Sequence, residues 1–426
     1  MTASWCAWLQ PETRAQARVC LDRIVARTPP TGPFPGGGCL AGGAAGLALF
    51  HAYLHRFDPG RDFRERAMAF LDMGLTSLAE EPMAPGLLGG VAGIAWAHSQ
   101  VLDALDEPET EDCYEVIDRA LVDYLTRGPS GIGFDLVDGL VGIGIYGIQR
   151  ARQGRREILA AAVAALARQS IAVPSGRTWF TAPEAMPSHH RLEVPRGYFN
   201  LGLAHGTPAV PALLGQALAL GVGGEPERRL YREAVAWLLA QRNPEGDAAV
   251  FGSWVAKDET DDQRQVRRQE RLRVAWCYGD LSVGVALLGG ARAMNDHETE
   301  AAALELCRKA ARCPVAEAGM ADACLCHGAA GDAHLFHRLY HCTCEPVFAA
   351  AAEAYLLQTM ACQDSAQEGA GFRFWLPRHE DDPDPWRPDA GLLNGTTGVG
   401  LALLGFLDKR EPLWDGCLLT DLPGWR

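Results

Sequence analysis

Apolar residues recur at a helical period in seven polar-faced stretches, residues 12–27, 63–80, 112–127, 156–169, 226–241, 296–313 and 346–362. In 112–127, Ile117, Ala120, Leu121, Tyr124 and Leu125 share one face by the i, i+3, i+4, i+7, i+8 rule. Each stretch predicts an amphipathic helix. Between them lie seven runs of another kind, each a glycine-rich core leading into an apolar helical run. They read "LAGGAAGLALF" (40–50), "LLGGVAGIAWA" (87–97), "LVDGLVGIGIY" (136–146), "GLAHGTPAVPA" (202–212), "AWCYGDLSVGVAL" (275–287), "CLCHGAAGDAH" (324–334) and "LLNGTTGVGLA" (392–402). Their first glycines are Gly43, Gly90, Gly139, Gly206, Gly279, Gly328 and Gly395, at intervals of 47, 49, 67, 73, 49 and 67 residues. The repeat is near 48, and the longer intervals carry insertions that a repeat fold puts in loops.

Six amphipathic stretches follow a glycine core, and the seventh core has none after it. The helix at 12–27, ahead of the first core, fills that gap. The pattern therefore predicts an all-α fold, an α/α toroid (barrel) of seven inner and seven outer helices in one domain, 1–426. Strand signals are sparse and confined to the insertions. Two of these, 170–199 and 242–272, flank the core at Gly206.

A 426-residue chain exceeds an ordinary single core unless the core is a barrel or repeat ring. With 48% hydrophobic and 22% charged residues, a large core can be buried. A net charge of −14 argues against a nucleic-acid partner, which needs a basic face. No window approaches the ~18 apolar residues of a membrane span. The first residues lack a basic start and apolar run, so no signal peptide is expected and the cytoplasm is the expected location. There the thirteen cysteines are reduced thiols, available as metal ligands.

Chemistry is expected on the copies that break the pattern. Cys277 and Cys326 each stand two residues before the first glycine of their copy, and His327 stands just before Gly328. Equivalent positions of a ring face one rim, so these residues can meet. Two thiolates and an imidazole suit Zn²⁺, one per chain, and three ligands leave one tetrahedral position open. Adjacent Cys326 and His327 can share an ion only in an irregular loop, which Gly328 favours. Two buried cysteines and a capping histidine are the structural alternative. Two thiolates neutralise the ion, which suits thiol activation better than hydrolysis. His205 occupies the position of His327 in the fourth copy, and Asp135 and Asp138 precede Gly139. His205 is a candidate general acid or base, or a helix cap. Arg273 can pair with a carboxylate such as Asp135, and Tyr278 can donate a hydrogen bond or simply pack. His341, Cys342 and Cys344 in "HRLYHCTCEP" (337–346) sit where a stretch leading into an outer helix accommodates them without a metal.

The ordered set "FDLVDGL" (134–140), "NLGLAHG" (200–206), "WCYG" (276–279) and "CHG" (326–328) resembles the lanthionine synthetase C-like family, the cyclases of lanthipeptide biosynthesis. The resemblance covers nearly the whole chain and implies the α/α toroid. It implies zinc on Cys277, Cys326 and His327, with Asp135, His205, Arg273 and Tyr278 as the other active-site positions. The implied enzyme is a lanthionine synthetase, adding peptide Cys thiols to dehydroalanine or dehydrobutyrine of the same peptide to form thioether rings. The alternatives are addition of an external thiol such as glutathione, and a non-catalytic peptide-binding scaffold. A dehydrated precursor peptide is the implied partner. No dehydratase-like segment precedes the first core, so a separate dehydratase is expected, with an exporter and a membrane-associated complex as the family setting. The insertions 170–199 and 242–272 are expected to form a small peptide-contacting lobe. "HGTPAVP" and "CYGDLSVG" depart from the family's glycine-rich HGxAG run and from its glycine and proline after CYG.

Overall fold

The structure is a computed structural model of the chain, and it describes residues 5, 8–28, 34–107, 113–128, 131–257, 273–364, 366, 369–379 and 382–422. The chain begins as α1 (Pro11–Arg27), α2 (Ala44–Phe57), α3 (Phe63–Glu80), α4 (Val91–Ala104), α5 (Glu115–Arg127), α6 (Leu140–Arg152) and α7 (Glu157–Gln169). Next come strands β1 (Ile171–Val173) and β2 (Gly176–Thr178), the short α8 (Ser188–Glu193) and β3 (Tyr198–Asn200). Then follow α9 (Ala209–Ala219), α10 (Glu225–Leu239), β4 (Trp254–Ala256), α11 (Asp280–Met294) and α12 (His297–Ala311). The last elements are α13 (Ala329–Thr343), α14 (Pro346–Ala361), β5 (Phe374–Trp375), β6 (Trp386–Arg387) and α15 (Thr396–Leu407). Among the described residues no helix is long and apolar enough to cross a membrane.

The helices behind the glycine cores are inner helices. In α15, every residue from Thr396 to Leu407 is buried; a helix apolar on all faces is stable only with neighbours on all sides. The helices between the cores are outer ones with a single buried stripe. In α5, Leu121 and Leu125 are buried, Ile117 and Tyr124 are half-buried, and Ala120 faces solvent.

Two compact units divide the chain. One comprises Met1–Tyr114 with Met320–Asp415. Here inner helices α4, α2, α15 and α13 are neighbours in that order. The N-terminal α1 packs on α15 and α14, burying Ala17, Leu21 and Ile24. Thr13 Oγ1 donates to Glu353 Oε1 at 2.7 Å on the same face. The other unit comprises Glu115–Gly319 with Gly416–Pro423, and its inner helices run α6, α9, α11. Two of its insertions meet: β3 pairs antiparallel with β4, Asn200 opposite Trp254. Residues 258–272, most of the second insertion's charged run, lie outside the described residues.

Six of the seven glycine loops, all but that of Gly279, share one geometry. The N–H after the first glycine donates to the carbonyl six residues before that glycine, as in Ala44 to Gly37 (2.9 Å), Val91 to Ala84 (2.9 Å) and Ala329 to Asp322 (2.9 Å). This folds the loop back on the helix start and explains the Gly-x-x-Gly spacing. A Cβ at Gly90 would lie 2.0 Å from the Ala84 oxygen, and one at Gly93 would lie 1.6 Å from that of Leu87.

Neighbouring loops are joined by one repeated hydrogen bond. In the first unit Ala41 N donates to Leu88 O (2.9 Å), Leu393 N to Ala41 O (3.0 Å) and Cys326 N to Leu393 O (3.1 Å). In the second, Leu136 N donates to Ala204 O (3.1 Å) and Ala204 N to Cys277 O (3.3 Å). Every residue but Leu136 stands two before its first glycine, the position that carries Cys277 and Cys326.

Candidate functional site

In the second unit, three glycine loops bring five predicted residues together. His205 Nδ1 lies 2.8 Å from Asp135 Oδ2, and Asp135 Oδ1 accepts the Asp138 N–H at 3.0 Å. Burial pulls the His205 pKa down, but the hydrogen bond and charge of Asp135, then Cys277 and Asp138, outweigh it and hold it above the ordinary value. Its side chain is 46% exposed, so the charged form also keeps water. Asp138 is pushed up by burial and by Asp135.

Cys277 is buried, and Arg273 Nη2 donates to its Sγ at 3.8 Å. The guanidinium carbon lies 5.7 Å from the Tyr278 ring centroid. Among the described residues no carboxylate is within ion-pair range of Arg273; Asp135 is taken by His205. Among the described residues Arg273 thus meets the thiol and the phenol. Trp276, fully buried, donates Nε1–H to Leu418 O at 3.0 Å and pins the loop from behind. Gly279 takes φ 104°, unlike the extended glycines that open α2, α4, α6, α13 and α15.

The sequence points to the run that begins at Asn200 but assigns that residue no role. It is fully buried, its Nδ2 donates to Tyr278 Oη at 2.8 Å, and its Oδ1 accepts from Gly202 N at 2.8 Å. Gly202 lies flat against Cys277 and Tyr278: a Cβ there would meet the Cys277 oxygen and the Tyr278 ring at 2.5 Å.

In the first unit, Cys326 and His327 lie in the loop ahead of α13, half-buried. His327 Nε2 is 3.7 Å from Asp322 Oδ2. Ligand atoms of Asp322, Cys324 and His327 all lie within 4.8 Å of one another, so Cys324 competes with Cys326 as a donor partner for His327. Chemistry disfavours it. Burial pushes the Cys324 thiol up to about 11, so it holds its proton. Both Asp322 oxygens are engaged by backbone, Oδ1 with Cys324 N (2.8 Å) and Oδ2 with Trp375 N (2.9 Å). Cys326 is less deeply buried than Cys324.

The family model described as lanthionine synthetase C-like protein matches residues 36–419, from the first glycine loop to beyond the last. The chain belongs to the lanthionine synthetase C-like family. It is 21% identical to nisin biosynthesis protein NisC of Lactococcus lactis subsp. lactis over 303 residues, 68% of this chain and 71% of that protein. It superposes on the solved structure of nisin cyclase with a TM-score of 0.71 at 18% identity, covering 96% of each chain. That likeness gives the fold class, the α/α toroid expected from the repeat.

Both departures from the lanthionine synthetase pattern have structural consequences. In "HGTPAVP" the helix opens later than in the other copies. Ala209 N donates to Gly206 O (3.4 Å) and Val210 N to Thr207 O (3.0 Å), a tight turn in which Pro208 supplies no donor. In "CYGDLSVG" the fully buried Asp280 accepts Val250 N (2.9 Å) and Phe251 N (2.9 Å), tying the second insertion to α11. In the 337–346 run, His341 stacks on Trp5 at 3.7 Å, and Cys344 caps α13 at φ 57°.

Proposed function

We propose that this chain is a zinc-dependent lanthipeptide cyclase. Cys277, Cys326 and His327 hold one Zn²⁺, and the substrate is a dehydrated precursor peptide. The observation that carries the reading is the Asp135–His205 pair beside a buried thiol, in a family whose relatives here are named for nisin biosynthesis and cyclisation.

The donor set fits the metal. It offers two thiols and one imidazole, with Arg273 against Cys277 favouring the thiolate a metal requires. Bound there, zinc would leave one position for the peptide thiol and stabilise it as thiolate. The rest is this chain's work. Ring closure forms a bond from sulfur to the β-carbon of the dehydro residue and places an electron pair on its enolate. Tyr278 and Arg273 stand ready to donate to the enolate oxygen. His205 is oriented by Asp135 through Nδ1, so Nε2–H is left to protonate the α-carbon. The thiol proton lost and the α-proton gained balance, so the product has the substrate's mass.

The dehydro residues this reaction uses come from a prior dehydration of the precursor's Ser and Thr side chains. The pairing of β3 with β4 supports the two insertions as one peptide-contacting lobe. The deciding experiment incubates the purified protein with a dehydrated precursor, then counts free thiols by alkylation and metal by mass spectrometry. Fewer thiols at unchanged mass, with about one zinc per chain, is the expected result. A rise in mass with an added thiol would move the reading to external addition, and no metal with no thiol loss would overturn it.

A further inference from the structure

Three glycine loops carry an Asn or Asp six residues before their first glycine: Asn200, Asp322 and Asp389. Each makes the same turn, its Oδ1 accepting the N–H two residues on: Gly202 (2.8 Å), Cys324 (2.8 Å) and Gly391 (2.6 Å). The turn alone accepts either residue. What differs is the other side-chain atom. In Asp322 the second oxygen meets the N–H of Trp375 at 2.9 Å. In Asn200 that atom is Nδ2, and it meets the Tyr278 hydroxyl at 2.8 Å.

The orientation of the Asn200 amide is decided by its neighbour. Gly202 N–H can only donate, so Oδ1 must face it and Nδ2 must face Tyr278. An amide NH₂ cannot accept. Tyr278 is therefore the acceptor in this bond, and its own proton points elsewhere. Among the described residues no group accepts that proton. We infer that Asn200 is a positioning residue that keeps the Tyr278 hydroxyl an obligate donor toward substrate. Burial does not by itself explain the amide, because Asp322 makes the same turn at 3% exposure. An aspartate at 200 would keep the turn and take the Tyr278 proton for itself. The role in catalysis rests on the cyclase reading; the donor geometry does not.

The test uses Asn200→Asp and Tyr278→Phe in the full-length protein. The tyrosine Fermi-doublet ratio in Raman spectra separates donating from accepting phenols, and wild type minus Tyr278→Phe isolates this ring. Wild type should show Tyr278 accepting, and Asn200→Asp should show it donating to the carboxylate with little change in Tm. On a dehydrated peptide, Asn200→Asp should lower kcat roughly 10²-fold, as loss of an oxyanion donor does, with KM nearly unchanged. The variant-to-wild-type ratio should recover as pH falls, because a protonated carboxyl donates again. A donor signature for Tyr278 in resting wild type would overturn the inference even if the variant failed to fold. So would full activity of a folded Asn200→Asp beside a defective Tyr278→Phe. The spectra need no substrate, so a wild type inactive on dehydropeptides would sink the cyclase reading and leave the Raman assignment of Tyr278 intact.

Discussion

His205 and Asp135 come from different glycine copies and meet at 2.8 Å through Nδ1 and Oδ2. The contact fixes which ring nitrogen faces the carboxylate and which is left for chemistry. It also raises the His205 pKa, against the pull of burial. As a raised group it favours the fold most below its ordinary value near 6.5, and that contribution fades as pH rises through the folded value. If His205 is the proton donor, cyclisation declines over the same rise. Asp135→Asn should keep the hydrogen-bonded geometry but move the decline to lower pH, with a rate loss of roughly 10²-fold or more. A pH–rate profile beside an imidazole NMR titration checks both; an unmoved profile would remove His205 from the acid role.

Metal loss should discriminate between two cysteines that flank a single residue. Cys326→Ser should lose zinc on gel filtration, whereas Cys324→Ser should retain it, since the Cys324 thiol is pushed up to about 11 and keeps its proton. Metal content per chain measures this directly. Retention in the first and loss in the second would reassign the donor to the Asp322–Cys324–His327 group.

Gly279 is the one opening glycine with a positive φ, 104°, and a Cβ there would lie 1.9 Å from the Arg273 oxygen. Gly279→Ala should destabilise by about 1–3 kcal/mol from backbone strain alone, and displace Cys277 two residues away. Thermal unfolding with metal content reads both effects.

Among the described residues the most deeply buried ion pair joins Arg338 to Asp415. Arg338 Nη2 and Asp415 Oδ1 are 2.7 Å apart, and His334 Nε2 is 2.7 Å from the same carboxylate. Burial pushes the Asp415 pKa up, but Arg338 and His334 outweigh it and hold it below the ordinary carboxylate range. Its contribution is therefore complete above the unfolded value and is lost as pH falls through the folded one. Asp415→Ala should cost about 3–5 kcal/mol by leaving the Arg338 charge buried and unpaired. Denaturant melts at neutral pH test this, and a change within error would show that water or Glu411 replaces the partner.

The seven glycine copies are legible because a backbone constraint writes itself into sequence: where a Cβ would strike a carbonyl, only glycine stands. Outer helices are legible to within a few residues through their polar faces. Counting helices pairs the N-terminal one with the last copy, as the structure does. Asn200 is not legible, because its role lies in which way an amide faces. The sequence suggests a carboxylate partner for Arg273, since a charge in a row of residues does not reveal that Asp135 is already engaged. The insertions' pairing through β3 and β4 is hidden in strands too short for a period to show.

The bond from Leu393 N to Ala41 O and the bed of α1 on α14 and α15 set the order of events during synthesis. Thr13 waits for Glu353, a separation of 340 residues. Closing a flexible loop of that length costs about 5 kcal/mol in chain entropy, on (3/2)RT ln n. During synthesis Ala17, Leu21 and Ile24 of α1 therefore stay uncovered until α14 and α15, made much later, emerge. A helix made early is sealed late, and that interval exposes an apolar stripe to aggregation and to chaperones.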